Sequence, residues 1–333
     1  MLYIIRRIVY AVISLFGVSV AAFVILRVLP GDPALLMVGP MATDEDIAAM
    51  REYLGLTAPV PVQYTRWLST VLQGDFGQSL RFRDDVTTLI LDRLPATLEL
   101  VLASIVLAAL IAVVIAVISV LNQGTLFEAL SSFVGLIGFG IPNFLWGLLF
   151  IVLFGAIARV MPVSGRMASN MQVPDVTGFL LLDSLLDGNF EAFKSAVQHL
   201  FLPALALAIP LAAMLLRTLK SSLLNVMQED YIFTDRMKGL SESYIVCIRA
   251  LKNALIPTLT ILGVQFTFLV SGSIVIEKIF GWPGIGLLAL TGIQYRDFPL
   301  VQGLIVVYAL VLISSNLTVD LLYGFLNPKI RYA

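Results

Sequence analysis

Apolar residues in this chain gather into six runs: Ile8–Leu29, Thr97–Leu121, Ser131–Ile157, Leu200–Leu216, Leu255–Ile276 and Leu300–Val319. A helix needs about 20 apolar residues to cross the hydrocarbon core of a bilayer. These runs therefore predict an all-α polytopic membrane protein with six transmembrane helices. Composition agrees: of 333 residues 59% are hydrophobic and only 13% charged, and the mean hydropathy is +0.96. A soluble domain of this length is far more polar.

The polar segments between the runs set the predicted organisation. Arg6 and Arg7 precede the first run and place the N-terminus in the cytoplasm. A cleaved signal peptide is the rival reading. The run is longer than an ordinary signal core, and Arg27, Pro30 and Gly31 follow it without a small-residue cleavage site. The chain divides into residues 1–29 (cytoplasmic end and first helix), 30–95 (extracytoplasmic subdomain), 96–325 (main transmembrane domain) and 326–333 (cytoplasmic tail). In the external subdomain, Thr43 and Asp46 form a capping pair before a helix ending near Gly55, and Pro61 starts a second helix ending near Gly74. A second external segment covers Arg159–Gln198, and the small residues and Pro142 of Gly138–Gly147 allow either close helix approach or a kink inside the third span.

One polar island, Glu229–Pro257, lies within residues 225–257 between the fourth and fifth runs. It reads as two helices meeting at an elbow. Gly239 takes the left-handed conformation that ends the first helix, and Ser241 caps the second, with Leu240 stapled against Ile245. Leu240, Tyr244, Ile248, Leu251 and Leu255 recur at helical spacing and predict an apolar stripe resting on the protein. Arg217, Lys220, Arg236, Lys238, Arg249 and Lys252 make the densest short-loop positive cluster, so the island belongs in the cytoplasm. Read from the residues alone, it is either a docking surface or a linker with a solvated face.

The same island resembles the cytoplasmic loop of binding-protein-dependent ABC importer permeases, in the form found in the dipeptide and oligopeptide permease family. Glu229, Tyr231, Ile232, Thr234, Arg236, Lys238, Gly239, Leu240 and the run Ala250–Leu251, Asn253–Pro257 match that loop. Phe233, Asp235, Met237 and Arg249 depart from it. RVLPGDP at Arg27–Pro33, LGL at Leu54–Leu56, GDFGQS at Gly74–Ser79, MPVSGRM at Met161–Met167, EKIFGWPGIG at Glu277–Gly286, RDFP at Arg296–Pro299 and the ending Asn316–Tyr332 also resemble the family. The resemblance implies a type I ABC importer permease fold in a bacterial inner membrane. It implies as partners a second homologous permease, two ATP-binding subunits and an extracytoplasmic substrate-binding protein. The coupling loop would then comprise Glu229, Tyr231, Thr234, Asp235, Arg236, Lys238, Gly239, Leu240, Arg249 and Leu251. Peptides are the expected cargo, with nickel, glutathione or oligosaccharides carried by related systems.

Candidate chemistry narrows the reading by what is missing. No G-x-x-x-x-G-K-[ST] phosphate loop, nucleophile elbow or H-E-x-x-H motif occurs, so the chain is expected to have no catalytic residue and no cofactor of its own, ATP being held by the partners. A single cysteine, Cys247, and a single histidine, His199, cannot make a metal site of His and Cys type. Net charge of −1 offers no field for nucleic acid. Arg27, Glu99, Glu277 and Asp320 fall near helix ends, so an ion-coupled carrier lacks its usual intramembrane relay. A secondary transporter with an unusual coupling site, or a non-transporting scaffold, is the alternative; neither requires a polar docking elbow.

Overall fold

The computed structural model describes residues 2–28, 33–38, 43–53 and 55–326. Most of Arg27–Pro33, Leu54, and Lys329 and Arg331 of the tail lie outside them. The described residues are mostly helical, with turns, an irregular stretch over 158–179 that leads into α8 (Leu180–Leu186), and one isolated bridge, Gln78 with Asp85. Among them five helices are long and apolar enough to span a membrane, or six where a bent pair counts as one span.

The chain forms two compact units, Met1–Leu94 with Leu287–Leu317, and Pro95–Gly286 with Thr318–Ala333. In the first, α1 (Leu2–Val28) packs against α4 (Val60–Leu72). Phe23, fully buried, meets Tyr64 and Trp67 edge-on or tilted, with centroids 5.3 and 5.6 Å away. Between them, α2 (Pro33–Val38) is followed by α3 (Asp44–Tyr53), whose start is the expected reciprocal cap. The Thr43 amide donates to Asp46 Oδ2 at 2.9 Å, and the Asp46 amide to Thr43 Oγ1 at 3.2 Å. A hydroxyl and an amide donor hold the GDFGQS turn to the buried Asp297: Ser79 Oγ at 2.5 Å and the Arg81 amide at 3.0 Å, both on Oδ2.

In the second unit, α5 (Val86–Leu121), from Pro95 onward, is packed with α9 (Phe190–Val226) and α12 (Leu251–Ile279). The helices are longer than the apolar runs. α5 begins eleven residues before Thr97, and α9 begins ten before Leu200, because polar turns at their N-terminal ends continue the helical ladder. Pro95, Pro203 and Pro210 sit inside these helices without ending them. Small residues line the seam: Ala108, Ala112 and Ala116 of α5 and Ala208 and Ala212 of α9 are all buried in one cluster, which lets helix backbones approach closely. The third run is α6 (Leu126–Gly140) and α7 (Asn143–Phe150), the latter continuing as a π-helical turn to Ile157. The two are bent by 102°, a break rather than a mild kink. Ile141 and Pro142 are both extended there.

Buried acids in this unit are satisfied. Glu99 receives Arg166 Nη2 at 2.6 Å and the Leu181 amide at 2.8 Å. Glu277 receives Thr97 Oγ1 at 2.7 Å and Ser273 Oγ at 3.0 Å, while the indole of the buried Trp282 donates to Ala96 O at 2.8 Å. The WPGIG turn folds tightly over Glu277. A Cβ added at Gly286 would lie 2.8 Å from both Glu277 Oε2 and the Ile274 Cα. Overpacking of that kind costs about 1–3 kcal/mol. Gly286→Ala is therefore expected to lower the thermal midpoint of the detergent-purified protein by several degrees, read by scanning fluorimetry, whereas Gly140→Ala, with open space around it, leaves it unchanged.

Candidate functional site

The elbow is built by α10 (Asp230–Met237), the short α11 (Glu242–Tyr244), a π-helical turn Ile245–Ala250, and the start of α12. Glu229 precedes α10 in extended conformation, its carbonyl accepting the Ile232 and Phe233 amides at 3.0 and 3.3 Å. Gly239 ends the first arm with φ of +79°, the left-handed region where a side chain costs about 1–2 kcal/mol. Ser241 is extended and its side chain accepts the Tyr244 amide at 3.4 Å, which starts the second arm. The corner is thus the predicted one, made by Gly239 and Ser241.

Its root is apolar. Ile232, Ile245, Val246 and Ala250 are fully or almost fully buried in the cluster formed with Ala108–Val120 of α5 and Ala208–Leu223 of α9. Tyr231, Leu251 and Leu255 pack on its edge.

Polar contacts then fix one arm on the other. Arg249 Nε donates to Asp235 Oδ2 at 2.8 Å, and Lys238 Nζ lies 3.8 Å from Oδ1 of the same carboxylate. The Asp235 side chain is only 4% exposed, so this contact is the strongest polar tie in the elbow. Asn253 Nδ2 donates to Tyr231 Oη at 2.9 Å. Arg236 grips Glu242 through two hydrogen bonds, 2.6 and 3.2 Å long. The Glu242 carboxylate pushes the Arg236 guanidinium above its ordinary value, with burial a smaller opposing effect. Both partners are well exposed, so this pair contributes little to stability.

Of the ten residues singled out in sequence, Tyr231, Asp235, Arg236, Lys238, Gly239, Leu240, Arg249 and Leu251 are gathered about the corner and its root. Glu229 and Thr234 point to the far end of α10: Glu229 is exposed, and Thr234 Oγ1 donates back to Asp230 O at 3.1 Å.

The apolar stripe expected against the protein is corrected. Leu240, Tyr244 and Ile248 are exposed, Tyr244 by 47% and Ile248 by 57%, and Ile245 is buried while Leu240 stays on the surface. The cause is the π turn. There the Leu251 amide bonds Val246 O, five residues back, so one extra residue enters the turn and the face preceding it slips by one position. With Phe233 and Met237, also exposed, these residues make an apolar outer surface on the elbow. Sequence reasoning missed Glu242 and Asn253 as polar ties, and Ile245, Val246 and Ala250 as the root.

Residues 104–332 match the family described as binding-protein-dependent transport system inner membrane component, and residues 1–101 match the N-terminal region of the same kind of membrane component. The chain belongs to this family. Its fold is the type I permease fold, and the elbow lies inside the longer match. Relatives align along essentially the whole chain. The di/tripeptide transport system permease protein of Pseudomonas aeruginosa is 40% identical, covering 99% of this chain and 98% of that one. The probable D,D-dipeptide transport system permease protein of Escherichia coli is 40% identical over 96% and 94%. The glutathione transport system permease protein of Salmonella paratyphi A is 35% identical over 99% of each.

The permease's elbow supports a direct test. Asp235→Ala would leave Arg249 without its buried acceptor and cost about 1–3 kcal/mol, the range for a charged hydrogen bond, reduced by Arg249's exposure. Amide exchange over residues 230–250 is expected to quicken several-fold in that variant, while exchange in Leu200–Leu216 stays as in the unaltered protein.

Proposed function

We propose that this chain is the membrane-path subunit of an ATP-driven peptide importer, moved by an ATP-binding subunit that grips the elbow from the cytoplasm. In this reading the chain has no enzymatic step of its own. Its partners are a second permease of the same family, two ATP-binding subunits and an extracytoplasmic binding protein that delivers the cargo. Both termini lie in the cytoplasm, in keeping with Arg6 and Arg7 before the first span and with the basic residues of the elbow.

The observation that carries this reading is the two-sided construction of the elbow. A solvated linker has no need of a root seated in the helix core, and a free surface rarely leaves Phe233, Met237, Tyr244 and Ile248 exposed together beside Arg236 and Lys238. An apolar patch rimmed by charge fits a protein partner. Behind that surface, Ile232 and Ile245 are packed in one core with α5 and α9, so a partner gripping the elbow acts on those helices.

Peptide cargo rests on the substrates that the relatives' names give, which share an amide backbone: di- and tripeptides, D,D-dipeptides and glutathione.

Gly239→Val tests the coupling. Nothing lies within 4 Å of an added Cβ, so the change acts through the backbone at φ of +79° and re-aims the corner. Cargo-stimulated ATP hydrolysis and uptake in proteoliposomes holding the full complex are expected to fall at least about tenfold while the complex still assembles. If both persist, the elbow is not the coupling surface. Uptake of labelled dipeptide, glutathione and nickel by a strain lacking its own systems tests the cargo. Dipeptide uptake is expected; accumulation of nickel alone refutes it.

A further inference from the structure

The segment Ile245–Ala250 carries two apolar faces, and only one is in use. The face in use is Ile245, Val246, Ala250 and Ala254, all buried. Ile245 and Ala250 are five apart, about 140° from alignment in an α-helix of 3.6 residues per turn; the π turn brings them to one side. The other face is the one the sequence pattern favours, with Leu240, Tyr244 and Ile248 leading into Leu251 and Leu255. At present its first three members face outward.

From Ala254, which is buried on the fixed part of α12, an uninterrupted α-helix has a definite outcome. Cys247 stands seven residues back, about 700°, hence within about 20° of Ala254's direction. Ile245 stands nine back, about 900°, on the opposite side. The α register therefore buries Cys247, which is now exposed, and exposes Ile245, which is now fully buried. It also turns the preceding arm by about one residue's worth of rotation, roughly 100°. The ties that would have to part are the packing of Ile245 in the core and two polar contacts, Asp235 to Arg249 and Tyr231 to Asn253. Gly239 stands in open space and gives the corner room to re-aim.

We propose that residues 245–250 are a two-register switch, π in the state described here and α in a second state, and that the ATP-binding partner drives the exchange. This rests on the coupling role proposed above and adds how the elbow moves: a helix ratcheting by one residue, not a rigid lever. Packed helices favour such discrete alternatives over continuous bending, and π turns commonly mark functional sites.

Cys247 is the chain's single cysteine, so it reports on its own register. The full complex in nanodiscs is treated with a water-soluble maleimide, without nucleotide and with ATP plus vanadate, and labelling of this chain is followed on gels. A second sample carries Ile245→Cys with Cys247→Ser. Trapping is expected to slow labelling of Cys247 at least about tenfold and to quicken labelling at position 245 by a similar factor. Protection of Cys247 with no gain at 245 means the partner merely covers the site, and overturns the switch; so do two unchanged rates. Should the double variant not assemble, amide exchange across residues 243–251 of the unaltered complex decides. Conversion must open every bond of the turn, so exchange during turnover is expected to exceed that of both resting and trapped states, and equal protection overturns the proposal. If Gly239→Val uncouples the complex while both registers stay fixed, coupling stands and the switch alone fails.

Discussion

The seating of Ile232, Ile245, Val246 and Ala250 among the helices of the second unit is the contact on which the rest depends. Each exchanges water for close-packed neighbours, a gain on the order of 1.5–3 kcal/mol for each large aliphatic side chain. What makes the seat possible is small residues elsewhere. Ala108, Ala112 and Ala116 on α5 and Ala208 and Ala212 on α9 keep the seam narrow enough for Leu215, Leu219 and Leu223 to close over the elbow's root. The polar ties come second. Asp235 could not be buried without Arg249 beside it, so the ion pair follows from the packing and does not cause it.

Much of this was legible in the chain. Helical class and span number follow from run length, because a backbone in hydrocarbon must satisfy its own hydrogen bonds. The caps at Thr43, Gly239 and Ser241 were legible too, since each uses a residue type chosen for local geometry. Less visible was anything set by tertiary contact. α9 extends past its apolar run, and in that extension Ser195 accepts the Ala168 amide of a neighbouring segment. The π turn left no mark in the spacing, since the pattern at Tyr244 and Ile248 describes a helix of ordinary pitch. That is why Leu240, Tyr244 and Ile248 of the predicted inner face proved to lie outside, while Leu251 and Leu255 pack on the core as expected.

The membrane acids show the same division of labour. Glu99 and Glu277 are buried, yet each carboxylate is already engaged by donors from its own unit, Arg166 and the Leu181 amide for one and two hydroxyls for the other. A carboxylate so held ties its helix to the segments around it. Carrying a proton through a cycle would require those donors to let go, at a cost of about 1–3 kcal/mol for each charged bond lost. At the elbow, by contrast, the Arg236–Glu242 pair is well exposed and its exchange is cheap.

The broken third span follows from the same rule applied to the backbone. At Ile141 and Pro142 the chain is extended, so the last carbonyls of α6 and the first amides of α7 lose their helical partners. Acyl chains cannot replace those partners; protein or water can. Gly138 and Gly147, on either side of the break, are both buried. A Cβ at Gly147 would sit 3.1 Å from Phe280 and 3.2 Å from Ile276. α7 is therefore pinned against α12 by the absence of a side chain. α12 is also the helix into which the elbow's second arm runs, through the π turn Ile245–Ala250. The broken backbone at Ile141–Pro142 and the elbow thus both bear on one helix, Leu251–Ile279.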